Sequence, residues 1–141
     1  VDMIDLELSA GERICRQVVE ICQENGIAIL FSSHDFDHTP PAEEMMRRFE
    51  LMSAWGADIA KLAVMPQTAE DVLALMKTGW QASARMAERC PIVAISMGKL
   101  GAISRVSGRV FGSCMTFATV QNASAPGQLS VEAIRSMLAI L

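Results

Sequence analysis

Apolar runs of strand character alternate with amphipathic helical stretches along this chain, and that alternation limits the folds open to it. Asp2 to Leu8 has period two: Ile4, Leu6 and Leu8 point one way, Met3, Asp5 and Glu7 the other. Ser9 to Gly11 open a helix whose apolar stripe reads as Ile14, Val18, Ile21 and Cys22, and Asn25-Gly26 is its stop signal. Ile27 to Ser33 is a second strand, with Ile29 and Phe31 on one face and Leu30, Ser32 and His34 on the other. After the polar loop from Asp35 to Pro41, a helix from Ala42 toward Gly56 turns Met45, Phe49 and Met52 inward. Ile59 to Met65 is a third strand, ended by Pro66.

Thr68 with Asp71 is a weak capping box for a long helix marked by Val72, Leu75, Met76 and Met86, which Gly79 is expected to weaken locally. Ile92 to Met97 is a fourth strand. Gly98, Gly101 and Gly108 then make a loop with at most a short helix around 102–106. Met115 to Val120 reads as a fifth strand, Asn122 to Gln128 as a polar loop, and Ser130 as the cap of a last helix. Strands alternating with helices make an α/β fold on a parallel sheet with right-handed crossovers. Two closures fit: an open sheet, or a parallel (β/α)8 TIM-type barrel of which this chain holds about five of the eight strand–helix units. The placement of Asp5, Glu7, His34 and Lys61 on one face or at the C-terminal ends of successive strands favours the barrel.

The 141 residues suit a single domain, 1–141, and with 51% apolar and 20% charged residues they suit a packed one. A net charge of -4, no basic run and no tyrosine argue against a nucleic-acid surface. The apolar runs are too short to span a bilayer, and no signal-like segment opens the chain, so a cytoplasmic protein without a membrane partner is expected. The first residue is Val1, which already reads as strand, so the chain is expected to be a fragment or a processed product. Cys15, Cys22, Cys90 and Cys114 form no C-x-x-C pair and read as small buried hydrophobes.

Lys61 stands mid-strand beside Ile59 and Ala63. Two readings are open: a desolvated amine serving as a Schiff-base nucleophile, or an edge-strand lysine whose head reaches water. His34, at a strand end, is either a general acid/base or a structural hydrogen-bonding residue. His38 reads as solvent-exposed, and the histidines lack a third ligand at metal spacing, so no metal site is expected. Arg105 after the glycine-rich turn suits an anionic substrate group. Ser124 to Gln128 reads as a mobile loop with two hydrogen-bonding side chains.

Taken together these stretches resemble the type I 3-dehydroquinate dehydratases. The resemblance is carried by Val1-Asp2-Met3-Ile4-Asp5-Leu6-Glu7-Leu8, Ser33-His34-Asp35-Phe36 with Thr39-Pro40, and Ala57-Asp58-Ile59-Ala60-Lys61 with Ala63-Val64-Met65-Pro66. Ile95-Ser96-Met97-Gly98 with Ser104-Arg105, and Ser124-Ala125-Pro126-Gly127-Gln128, complete it. It implies a (β/α)8 barrel and a lyase that dehydrates 3-dehydroquinate to 3-dehydroshikimate without metal or cofactor. It further implies Lys61 as the imine-forming nucleophile, His34 as the acid/base, and Arg105, Ser124 and Gln128 as substrate-binding residues, with Met97 and Phe117 as apolar wall.

By the same resemblance, about three further strand–helix units would precede Val1 and carry the substrate-hydroxyl ligands and a glutamate that orients the histidine. No position here is assigned those roles. The open end strands are expected to favour self-association as a homodimer. Two other readings stay open: another Schiff-base barrel such as a class I aldolase, and a non-catalytic truncated barrel or assembly module.

Overall fold

The computed structural model describes residues 1–86 and 88–141. Four strands, β1 (Met3–Glu7), β2 (Ala28–Asp35), β3 (Ile59–Val64) and β4 (Ile92–Ser96), pair in that order, all parallel. Between them run α1 (Glu12–Glu24), α2 (Ala42–Ala54) and α3 (Ala69–Met86). A 3-10 turn over Ala102–Arg105, the short α4 (Gly108–Phe111) and α5 (Val131–Leu138) follow β4.

Two of the helix-to-strand turns are built alike. At the end of α1, Ile27 N–H donates to Cys22 O at 2.9 Å and Gly26 N–H to Gln23 O at 3.3 Å, with Gly26 at φ +65°. At the end of α2, Ala57 donates to Met52 O and Gly56 to Ser53 O, with Gly56 at φ +102°. This is the Schellman arrangement, which satisfies the last carbonyls and turns the chain directly into the next strand. The start of α3 is a reciprocal capping box: Asp71 Oδ2 accepts from the Thr68 backbone N–H at 2.9 Å, and the Asp71 N–H donates to Thr68 Oγ1 at 3.3 Å. The backbone N–H groups of Gln67 and Thr68, both donating to Asp71 Oδ2, hold its carboxyl below its ordinary pKa.

The sheet has two different faces. On one, Ile29, Phe31, Ala60, Leu62, Val64 and Ile92 pack under Cys15, Val19 and Cys22 of α1, Met45, Phe49 and Met52 of α2, and Leu75 and Met86 of α3. On the other, Ala63, Val93, Ile95 and Met97 form a smaller cluster with Ile59, Met115 and Phe117 beside it. Lys61 belongs to this second face.

Three expectations change. The inward stripe of α1 is Cys15, Val19 and Cys22, while Ile14 and Ile21 face water, because the helix is rotated by about one position from the stripe that side-chain size suggested. The stretch Met115–Val120 is extended but forms no ladder: only isolated parallel bridges, Ile92 to Ser113 and Thr119 to Ser130, hold it. Cys114 is exposed, unlike the other three cysteines.

Gly79 does not interrupt α3. A Cβ there would lie 2.8 Å from Ala94 Cβ, so the missing side chain lets the helix sit directly on β4. Helix propensity alone favours Gly79→Ala by about 1 kcal/mol. Overpacking opposes it by about 1–3 kcal/mol. Packing is expected to win: Gly79→Ala should lower the urea midpoint, and a raised midpoint would show that α3 can shift freely on the sheet.

Candidate active site

The parallel register brings the polar residues of the second face into one row. Glu7 is opposite Ser32, and Ser32 is opposite Lys61. Lys61 is 8% exposed, so its ammonium needs compensation. Its Nζ donates to Asp5 Oδ2 at 3.0 Å and lies 4.5 Å from the centroid of the Phe117 ring, a cation–π contact. The mid-strand lysine is therefore a buried, paired one, and its head does not reach bulk water.

His34 sits two residues beyond Ser32 on the same face. Its Nδ1 is 2.6 Å from Glu7 Oε2, and its backbone N–H donates to Glu7 Oε1 at 3.1 Å. Its ring stacks on Phe36, with centroids 5.7 Å apart and an 8° angle between planes. His38 lies out in solvent beside Asp35.

Arg105 is only 2% exposed. Its Nη2 donates to Pro126 O at 3.0 Å, while its buried Nε has no partner among the described residues. Burial pushes the guanidinium pKa down from its ordinary value, yet an arginine keeps its charge. A buried cation with a free donor suits an incoming anion. Neighbouring Ser104 is structural: its hydroxyl accepts from Ser96 N–H and donates to Gly101 O.

The loop from Ser124 to Gln128 is seated on the C-terminal end of the sheet. Pro126 O accepts from Gly98 N–H at 3.1 Å as well as from Arg105. Gln128 Oε1 accepts from both the backbone N–H and the hydroxyl of Ser124, at 2.8 and 3.1 Å. The result is a cavity of about 140 Å3 lined by His34, Lys61, Arg105, Ser124 and Gln128, with Met97 and Phe117 as apolar wall. All five polar residues singled out in the sequence converge there.

A larger, more open depression of about 650 Å3 lies beside it and shares His34 and Phe36. It has no amine, and both Arg47 and Arg48 along it are paired with Glu44, whose carboxyl they lower to about 2. The smaller cavity is the one equipped for chemistry. Among the described residues, no group of three or more histidine, cysteine or acidic side chains could hold a metal ion, and no helix is long and apolar enough to cross a membrane.

The family model for type I 3-dehydroquinase matches residues 1–141. The chain belongs to the type I 3-dehydroquinase family. It is 49% identical over 141 residues to the 3-dehydroquinate dehydratase of Salmonella typhimurium, covering all of this chain and 56% of that protein. The crystal structure of the enzyme from Geobacillus kaustophilus superposes with a TM-score of 0.94 at 40% identity, over 100% of this chain and 54% of that one. A Clostridium difficile type I enzyme, solved with covalent modified comenic acid, gives 0.93 at 40% identity, over 99% of this chain and 55% of that one. The chain thus spans about half the length of the relatives it matches, and over that span its parallel α/β sheet superposes on their TIM-barrel fold.

Sequence reasoning missed Glu7 as a partner of His34. Its one available signal was the period-two acidic pair Asp5 and Glu7 on the strand face opposite Leu6. The stacking of Phe36 was also unforeseen.

Gly127 holds the loop in place: its φ is +70°, and a Cβ there would collide with the Gly98 backbone. Gly127→Val is expected to unseat the loop without melting the sheet. Limited proteolysis should then cut within 122–128 while the unfolding free energy from urea titration stays within about 1 kcal/mol of the parent. An uncut variant would show that the loop is held by other contacts.

Proposed function

We propose that this chain carries the imine-forming half of a 3-dehydroquinate dehydratase, and that it corresponds to the C-terminal part of the barrel. The observation that carries the reading is the convergence of a buried amine, an imidazole and a buried guanidinium on one cavity at the C-terminal ends of parallel strands. The Lys61 amine, once it has given up its proton, attacks the C3 ketone of 3-dehydroquinate and forms an imine with loss of water. The iminium withdraws electrons and acidifies the adjacent C2–H. His34 takes that proton, then delivers a proton to the departing C1 hydroxyl, so that water leaves in a syn elimination. Hydrolysis of the imine releases 3-dehydroshikimate and returns the amine. The covalently modified comenic acid in the Clostridium difficile relative agrees with covalent chemistry in this family.

Arg105 takes the substrate carboxylate in this reading, and Ser124 and Gln128 close over the hydroxylated ring. The lysine supplies the electron sink, so the mechanism calls on no cofactor. The pathway context is that of shikimate synthesis in the cytoplasm, with a homodimer as the proposed assembly.

A second reading is a non-catalytic portion of a barrel. Its support is that Asp5 and Glu7, the acids beside the site, stand half exposed on β1. A class I aldolase would share Lys61 but has no need of His34, Arg105 and Gln128 together.

Borohydride reduction in the presence of 3-dehydroquinate should leave a stable adduct on Lys61, read by peptide mass spectrometry, and Lys61→Ala should lose both adduct and turnover. Absence of the adduct would put the non-catalytic reading first. His34→Ala should still trap some adduct while elimination falls by about 10²–10⁴-fold. Normal elimination by that variant would reject the acid/base assignment. Arg105→Ala should raise KM by roughly 10- to 100-fold, the loss of a charge-assisted hydrogen bond, with a smaller effect on kcat. An unchanged KM would remove Arg105 from carboxylate binding.

A further inference from the structure

A second cavity of about 140 Å3 lies against Arg105, lined by that residue with Ser104, Arg109, Ser113, Thr116 and Leu138 among others. Arg105 is the one residue it shares with the cavity that holds Lys61 and His34. We propose that this second cavity binds a small inorganic oxyanion of the phosphate type, which gives the buried guanidinium a counter-charge. The inference goes beyond the imine chemistry and does not depend on it.

Charge is the first argument. Arg105 is 2% exposed, and its hydrogen bond from Nη2 goes to a neutral carbonyl, Pro126 O. Its buried Nε has no partner among the described residues. A guanidinium carries five N–H donors in a planar fork, so one edge can serve each cavity. Arg109 adds a second guanidinium to the lining, and no acidic side chain stands there. The open depression beside His34 differs on this point, since Glu44 answers its Arg47 and Arg48. Two guanidinium groups with no carboxylate in one small space suit an anionic occupant.

The hydroxyls are the second argument. Thr116 Oγ1 is buried and has no partner among the described residues. Ser113 Oγ accepts from the Ala94 N–H at 2.9 Å, which leaves its own proton to donate. Ser104 has nothing more to offer, because its hydroxyl accepts from Ser96 N–H and donates to Gly101 O. Thr116 and Ser113 are held in place by backbone. Cys114 N–H donates to Ile92 O at 2.9 Å, and a parallel bridge joins Ile92 to Ser113, so the segment is pinned to β4. Gly108 lines the cavity from α4, and a Cβ there would lie 2.8 Å from Ser113 O, so the two walls approach this closely only without a side chain. At about 30 Å3 per water the space is that of four or five waters, room for one oxyanion without an organic ester group.

The test is calorimetric titration of inorganic phosphate into the whole chain, with ionic strength held constant by chloride. The parent should bind one phosphate per chain. Arg109→Gln and Thr116→Val should each weaken binding by about tenfold or more, the loss of a hydrogen bond to a charged group. Thr116→Ser keeps the hydroxyl and should bind within about threefold of the parent, which separates the loss of a donor from a loss of fold. Ser124→Ala and Gln128→Ala alter the other cavity and should bind phosphate as the parent does. If those two lose phosphate while Thr116→Val keeps it, the ion sits beside Lys61 and the proposal falls. No binding by the parent, or equal binding by the parent, Arg109→Gln and Thr116→Val, would overturn it as well. Glycerol phosphate should bind about tenfold more weakly than the free ion or worse, and equal affinity would overturn the assignment to the free ion.

Discussion

A lysine in the middle of a parallel sheet is tolerable only if something answers its charge. Here the answer is Asp5, two strands away, reached across Ser32. Desolvating an ammonium costs several kcal/mol, and removing Asp5 would leave that charge without its carboxylate in a low dielectric. The register that places β1 beside β2 and β2 beside β3 is therefore what makes the second face habitable. A slip of one residue in either pair would bring Ile4 or Leu6 to face Lys61 and send the carboxylates into the helix-side core.

The division of labour between the two faces follows. The helix-side face is filled by Phe31, Phe49, Leu62 and Leu75, all essentially inaccessible, and it has the size to hold the fold. The opposite face has a smaller apolar cluster, Ala63, Val93, Ile95 and Met97 with Ile59, Met115 and Phe117 beside it, and carries Ser32, His34 and Lys61. A small apolar cluster and a row of charges can share a face because the large core lies on the other side.

Much of this was legible in the chain. Period-two alternation assigned the faces of β1, β2 and β3 correctly, and Thr68, Ser130 and Asn25-Gly26 marked real helix boundaries. Five candidate site residues, His34, Lys61, Arg105, Ser124 and Gln128, were named from side-chain chemistry and family resemblance, and they line one cavity. The failures share a cause: each needed a partner that one-dimensional pattern does not supply. Two stripes of equal period run along α1, and only its packing on β2 selects Cys15, Val19 and Cys22 over Ile14 and Ile21. Met115–Val120 has strand composition, yet a strand exists only as a ladder, and this segment pairs through two isolated bridges. Gly79 looked like a helix weakness because its neighbour Ala94 lies 15 residues on in the chain and directly above it in space. Glu7 was unassigned because its contact with His34 spans 27 residues and depends on register.

Pro126 O is shared: it accepts from Gly98 N–H, which docks the loop, and from Nη2 of Arg105, the guanidinium proposed to take the substrate carboxylate. The two bonds make loop docking and guanidinium availability linked equilibria. An anion that draws Nη2 away from the carbonyl loosens the loop by the same free energy by which the docked loop lowers the affinity for that anion, since linkage is reciprocal. One carbonyl oxygen thus serves as a thermodynamic balance point between an occupied guanidinium and a docked loop.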